Sequence, residues 1–279
     1  MNYFNYNGKI YEDSKMVIGP DSRGLRYGDG LFETLKSIKG QLLFTDDHFA
    51  RLWKGMNILQ FKLPKHFTPE TLQDEIVKLL KKNGHHDSAR IRLTVYRGDG
   101  GLYDDINHSP HYLIQTWALP GNTGKWNSNG LVLGMYTDVK KSCDILSSLK
   151  HNNFLPYVMA SLHARDQQWN DALILNTGGK ICDTTIANIF LVKDEIIYTP
   201  SLDQGCVAGI MRKNILLQLI KNNSKAVEAE ITVTDLVNAD EVFLTNAIYN
   251  LRWVHSIGDI KYTNSYTQKI YSALFPTIS

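Results

Sequence analysis

The chain has 279 residues, 30 basic and 28 acidic side chains, a formal net charge of +2 and 43% hydrophobic residues. That length accommodates two modest domains with a substantial core, and the near-neutral balance sets up no field for nucleic acid or an anionic membrane surface. The opening MNYFNYNGKI lacks a basic stretch followed by an apolar run, and no apolar run approaches a bilayer span. Cys143, Cys182 and Cys206 are dispersed and odd in number, which suits neither a disulfide framework nor a CxxC metal site. A cytoplasmic protein is the expectation.

In chain order, residues 1–12 read as a hairpin turning at Asn7-Gly8, and Lys36–Phe44 as a second one turning near Lys39-Gly40. Between them SRGLRYGDGLFETL reads as a glycine-rich loop entering a strand. A helix starts at Asp46-Asp47, whose charges favour its N-terminus. A second is marked by Thr68 as cap and Pro69 in the first turn, with Leu72, Ile76, Leu79 and Leu80 on one face. Arg90–Tyr96 alternates as a strand and pairs with His111–Trp117. The stretch ALPGNTGKWNSNG is rich in Gly, Pro, Asn and Ser and reads as a linker over 118–130. Beyond it come the strand LVLGMY, a helix over Leu155–Trp169, and the strands DALILN, IANIFLV and EIIYTP. A helix opens at Gly209-Ile210-Met211-Arg212, with Ile215, Leu216 and Leu219 as its core face, and Glu241–Thr245 is a further strand. The fold class is α+β, with an N-terminal α+β domain over 1–117 and a strand-rich C-terminal domain over 131–279.

Chemistry concentrates between residues 145 and 190. Lys150 stands between small polar residues and an apolar stretch; Leu146, Leu149, Phe154 and Leu155 are the neighbours that could provide the burial a lysine needs to react as a free amine. Asp183 follows a strand, a Gly-Gly turn and a second short strand, and a carboxylate there can hold a pyridine nitrogen protonated. Gly209 before Ile210 and Met211 offers backbone donors at a helix N-terminus for a phosphate. Thr245-Asn246-Ala247 can close the other side of a phosphate cup, and Arg51 can add a charged clamp. Each feature also has a plainer reading: an exposed lysine, a turn aspartate, a glycine before a helix, a surface arginine. Lys81-Lys82 and Lys140-Lys141 read as solvated faces. His85-His86-Asp87 reads as a polar loop without HExxH or CxxC support, so no metal site is expected. Cys182 reads as a buried strand residue.

Taken in order, RGLRYGDGLFETL, HFARL, SLKHNN, DTTIANIF, AGIMR and FLTNA resemble the fold-type IV (class IV) pyridoxal-phosphate enzymes, from about Asn5 to Val254. That family contains branched-chain and D-amino-acid aminotransferases and 4-amino-4-deoxychorismate lyases. The resemblance implies a two-domain, D-amino-acid aminotransferase-like fold, pyridoxal 5'-phosphate as cofactor, a small amino substrate and a homodimer. It makes Lys150 the Schiff-base lysine and proton shuttle and Asp183 the partner of the pyridine nitrogen, where the family usually has a glutamate. Arg51, Ile210, Met211, Asn246 and Ala247 match phosphate-binding positions, and Tyr27 matches a substrate-side aromatic. The motifs lean toward the lyase, which eliminates pyruvate to give 4-aminobenzoate for folate biosynthesis. Leu102 stands where lyases commonly carry an arginine, and Arg97, Arg26 and Arg252 are the candidates to replace it in substrate binding. The alternatives are an aminotransferase for branched-chain or D-amino acids and, more distantly, a non-catalytic homologue.

Overall fold

The computed structural model describes residues 2–103 and 106–275. The chain divides into two units, one running to Thr123 and also holding Lys150–Asn153, the other formed by Gly124–Leu149 and Phe154 onward. The division falls inside the 118–130 stretch. The assignment of Lys150–Asn153 to the first unit has no counterpart in the sequence pattern.

The first unit begins with a hairpin of β1 (Tyr3–Tyr6) and β2 (Lys9–Glu12). Its turn places Asn7 and Gly8 at positive φ, 48° and 84°, the pair of left-handed positions that a two-residue hairpin loop demands. Then come α1 (Arg23–Tyr27), β3 (Gly30–Ile38), β4 (Gln41–Leu42), α2 (Thr45–Ile58), α3 (Pro69–Lys82), β5 (Ser88–Arg97) and β6 (Pro110–Ala118). The helix α1 corrects the loop expected over SRGLRY; the Ser22 hydroxyl caps it by accepting from the Leu25 amide, and Gly28 ends it in the left-handed region. The strands form one antiparallel sheet in the order β2-β1-β6-β5-β3-β4. Leu31, Leu35, Ile91, Leu93 and Val95 are buried in that sheet, as are Phe49, Leu52 and Met56 of α2 and Leu72, Ile76 and Leu79 of α3. The helix α2 packs on β3, and α3 on β1 and β6.

The second unit contains β7 (Leu131–Lys141), α4 (Leu155–Asp166), β8 (Asp171–Asn176), β9 (Ile181–Thr184), β10 (Asn188–Lys193), β11 (Ile196–Pro200), α5 (Ile210–Lys221) and β12 (Ala226–Ala229). It continues with α6 (Val233–Val237), β13 (Glu241–Asn246), β14 (Asn250–Ile257), β15 (Ile260–Lys261) and α7 (Ser265–Leu274). The sheet order is β12-β11-β10-β13-β14-β7-β8-β9, with β15 beside β14. Pairs β11·β12, β14·β7 and β7·β8 are parallel; the other pairs are antiparallel. Phe190 and Phe243 stack at its centre, with ring centroids 4.8 Å apart. Asp183 lies within β9, one residue from its end, not after it as the turn pattern suggested.

Helix α4 stops at Asp166, before the expected Trp169, and packs on β7 and β8. The Trp169 indole covers Gly134 so closely that a Cβ there would stand 2.1 Å from the ring. This contact seats the end of α4 on the sheet. Gly134→Ala should therefore lower stability by about 1–3 kcal/mol through overpacking, read as a lower urea midpoint at unchanged slope. An unaltered midpoint would mean that the indole does not hold α4 in place.

Candidate active site

In the first unit, residues 150–152 pair with the start of β3. The Phe32 amide donates to the Lys150 carbonyl at 2.9 Å, the Asn152 amide donates to the Gly30 carbonyl at 2.9 Å, and Leu31 bridges to His151. This pairing fixes the backbone of Lys150, whose half-buried side chain carries Nζ over the Phe32 ring at 4.5 Å. The Arg92 guanidinium also stands over Phe32, at 3.7 Å. Alternation in β3 and β5 puts Phe32, Thr34 and Lys36 on one face with Thr94, Arg92 and Arg90. None of these six residues is acidic.

The opposite face of β3 presents Glu33 to α2. Arg51 gives Nε to one carboxylate oxygen at 2.8 Å and Nη2 to the other, while His48 Nδ1 bonds at 2.7 Å. Burial pushes the Glu33 carboxyl up, but the Arg51 charge and the hydrogen bonds from His48 and Arg51 together outweigh it and bring it down to about 2. Arg51 thus spends two donors on Glu33, and it belongs to the first unit, whereas the other four expected phosphate-side residues belong to the second.

Tyr27 and Arg97 are tied together through Asp29. The Arg23 and Arg97 Nε atoms both donate to Asp29 Oδ2, at 2.8 and 2.9 Å, and the Arg23 guanidinium lies over the Tyr27 ring. Arg97 is 8% exposed, gives Nη2 to the Leu59 carbonyl, and meets His108 with Nη1. Its donors are directed into the protein, where they hold Asp29, just after the helix that ends at Tyr27. Leu102 and Tyr103 are exposed.

In the second unit the carboxylate of Asp183 is 2% exposed. Its Oδ2 accepts from Lys141 Nζ at 3.1 Å, the Tyr157 hydroxyl at 2.9 Å and the Val207 amide at 2.9 Å; its Oδ1 accepts from Asn188 Nδ2 at 2.9 Å. Lys141 is 7% exposed, which corrects the reading of Lys140-Lys141 as a solvated face. Burial pushes the Lys141 ammonium down, but the charge of Asp183 and its hydrogen bond outweigh that and hold it above the ordinary lysine value. Burial, then the charge of Asp183, pushes the Tyr157 phenol well up, so it donates as a neutral hydroxyl. Cys182 is buried beside Asp183, and burial first, then that carboxylate, pushes its thiol far up, which removes it as a nucleophile.

Asn188 links this carboxylate to the start of α5. Its Nδ2 also donates to the Val207 carbonyl at 2.8 Å, and its Oδ1 lies so near Gly209 that a Cβ there would be 1.9 Å away. Gly209 opens α5 without a side-chain cap, so the first-turn amides at Ile210 and Met211 have no competing side-chain acceptor at the cap. Asn188 also pairs with Thr245, whose Oγ1 is buried without a hydrogen-bond partner. Asn246 accepts the Ile248 and Tyr249 amides and so holds the turn containing Ala247. An uncapped helix end beside an unsatisfied hydroxyl fits a phosphate. Ile210, Met211, Asn246 and Ala247 come from the sequence motifs; Lys141, Tyr157, Asn188 and Arg92 were not singled out by them.

Among the described residues no group of His, Cys, Asp and Glu is arranged to hold a metal ion, and no helix is long and apolar enough to cross a membrane.

The family described as class IV aminotransferases is matched over residues 30–257. The aminodeoxychorismate lyase of Vibrio harveyi is 32% identical over 238 residues, 85% of this chain and 86% of that protein. The D-alanine aminotransferase of Bacillus licheniformis is 27% identical over 254 residues, 90% of this chain and 87% of that protein. The branched-chain amino acid aminotransferase structure from Escherichia coli superposes with a TM-score of 0.87 at 21% identity, covering 100% of this chain and 94% of that one. The fold is therefore that of the fold-type IV enzymes.

The Glu33 cluster makes a pH-dependent contribution of known sign. Because the folded carboxyl lies at about 2, below its ordinary 4.5, its stabilisation is present above 4.5 and is lost as pH falls toward 2. Glu33→Gln should cost about 3–5 kcal/mol near neutrality, as expected when one partner of a buried ion pair is removed. The deficit should shrink in denaturant titrations taken at falling pH; a constant deficit would assign Glu33 a packing role only.

Proposed function

The chain belongs to the class IV aminotransferase family, and we propose that this pyridoxal-phosphate enzyme is an aminodeoxychorismate lyase. The observation supporting the choice is the pair of cations at Phe32, where the Arg92 guanidinium and Lys150 Nζ share one ring. Aminodeoxychorismate presents two carboxylates, and a guanidinium fork beside the reacting lysine suits such a substrate. The similarity to the Vibrio harveyi lyase supports the same reading.

Pyridoxal phosphate, when bound, supplies an aldehyde that joins an amino group and a ring that accepts the electron pair of a deprotonated carbon. The first-turn amides of α5 and the Thr245 hydroxyl would hold the phosphate, with the turn at Asn246-Ala247 beside them. Asp183 would keep the ring nitrogen protonated. Lys150 Nζ would be the amine that anchors the cofactor and, as a free amine, the base for the proton on the substrate carbon bearing nitrogen. Loss of pyruvate from the substrate then leaves 4-aminobenzoate, and aromatisation drives the step. Main-chain pairing with β3 fixes the backbone of Lys150, which supports this role.

A second reading, an aminotransferase, has its own support: Arg97 is committed to Asp29 and the Leu59 carbonyl, and Leu102 supplies no charge. In that reading Lys150 Nζ returns the proton to the cofactor side instead. The cofactor-holding residues are common to both readings, so only substrate tests separate them.

The partner in either case is a second copy of this chain. Leu155, Val158, Met159 and Leu162 follow the i, i+3, i+4, i+7 spacing of one helix face, and all are exposed, Leu155 by 72%. The opposite face of α4 buries Tyr157, Ala160 and Ala164 on the sheet. An apolar stripe of this kind on an otherwise buried helix supports an isologous contact.

Purified protein given pyridoxal phosphate should develop the visible band of a lysine-bound cofactor, absent from Lys150→Ala, with turnover falling roughly 10²–10⁴-fold. Release of pyruvate from aminodeoxychorismate with the band restored identifies the lyase. A band bleached by D-alanine, L-glutamate or a branched-chain amino acid, with no pyruvate from aminodeoxychorismate, identifies the aminotransferase. Val158→Glu should convert the dimer to monomer in sedimentation velocity; an unchanged sedimentation coefficient, dimeric or monomeric, would remove α4 from the interface.

A further inference from the structure

The four bonds to Asp183 are distributed unevenly. Oδ2 takes three, from Lys141, Tyr157 and the Val207 amide, while Oδ1 takes one, from Asn188. A carboxylate oxygen offers about two in-plane lone pairs, so Oδ2 is saturated and Oδ1 keeps an acceptor site. The donors come from separate elements, β7, α4, β10 and the segment before α5, which leaves the carboxylate no freedom to rotate. Lys141 also carries a full positive charge into the interior, and a second cation brought to the same carboxylate meets that charge at short range.

We propose, on the reading that this chain binds pyridoxal phosphate, that Lys141 is a positioning residue that both selects and tunes the contact of Asp183 with the cofactor. With Tyr157 it occupies Oδ2 and leaves Oδ1 to the ring nitrogen, and its charge lowers the pH up to which that nitrogen stays protonated. A glutamate or aspartate standing alone at this position would hold the ring proton more firmly. The electron demand of the cofactor in this chain is thus set by a lysine that acts through Asp183.

The other titratable groups around the carboxylate do not replace Lys141. Tyr157 is a neutral phenol, and Cys182 and Cys206 are buried thiols pushed up by desolvation. Cys143 is exposed. Arg212 on α5 is paired with Glu228 on β12 and donates to the Pro200 carbonyl. Lys141 is therefore the cation bonded directly to Asp183.

The test loads wild-type protein, Lys141→Met, Lys141→Arg and Tyr157→Phe with pyridoxal phosphate labelled with ¹⁵N in the ring, and follows the ring-nitrogen resonance against pH. The midpoint of its titration should move to higher pH in Lys141→Met and stay with wild type in Lys141→Arg, which restores the charge. Tyr157→Phe removes a neutral donor from the same oxygen and should move the midpoint in the same direction by less; it carries the test should Lys141→Met fail to fold. Coincident midpoints in wild type and the variants overturn the proposal. A wild-type protein that forms no lysine-bound cofactor band defeats the parent reading instead, before any resonance is compared. A role in packing alone would lower thermal stability without moving the midpoint.

Discussion

A carboxylate out of reach of water must be matched by donors or give up its charge, and this constraint organises both halves of the chain. In the first unit Glu33 is met by Arg51 and His48. In the second, Asp183 is met by Lys141, Tyr157, Asn188 and a main-chain amide. Each cluster recruits side chains from several elements, and each therefore fixes how those elements pack. The Glu33 cluster binds α2 to β3, on the strand whose other face carries Phe32 and Lys150. The Asp183 cluster binds β7, α4, β9 and β10 around the segment leading to the uncapped end of α5. Removing either carboxylate would leave buried cations and donors without partners, so the polar interior is a condition of the fold as well as of the chemistry.

Much of this was legible where local rules govern. Thr68 accepts the Thr71 amide, Pro69 opens α3, and Leu72, Ile76, Leu79 and Leu80 are buried as their spacing requires. The Asn7-Gly8 hairpin follows from the two left-handed positions it needs. Helix α6 has a capping box, Thr232 with Asp235, that a stricter reading of the same rules would have found. Other features lie beyond local rules. Lys141 sits at the end of a strand whose register with β8 shifts between Tyr136 and Lys140, so period-two alternation gives no valid side for it, and a Lys-Lys pair then reads as solvent-facing. The commitment of Arg97 depends on carbonyls at the end of α2, and the pairing of residues 150–152 with β3 joins segments far apart in sequence. The motifs singled out Lys150 and Asp183 but carried no information on what surrounds them.

The aspartate at 183, where the fold-type IV pattern usually has a glutamate, is best understood with its partners. An extra methylene would carry the carboxylate about 1.5 Å further along the side chain, away from the Val207 amide and the Asn188 amide nitrogen that now hold it. The shorter side chain keeps the charge close to its own strand, where main chain and a neighbouring strand supply fixed donors with little rotamer entropy to lose. Lys141, with four methylenes, then reaches the carboxylate from β7 and keeps the pair neutral. With no cation beside it, neither a protonated ring nor Lys141, a carboxylate this deeply buried would be costly to keep ionised, and a buried ammonium without the carboxylate would be equally costly. Asp183 and Lys141 are therefore a matched set, and the shortened acid and the buried lysine form one structural adaptation.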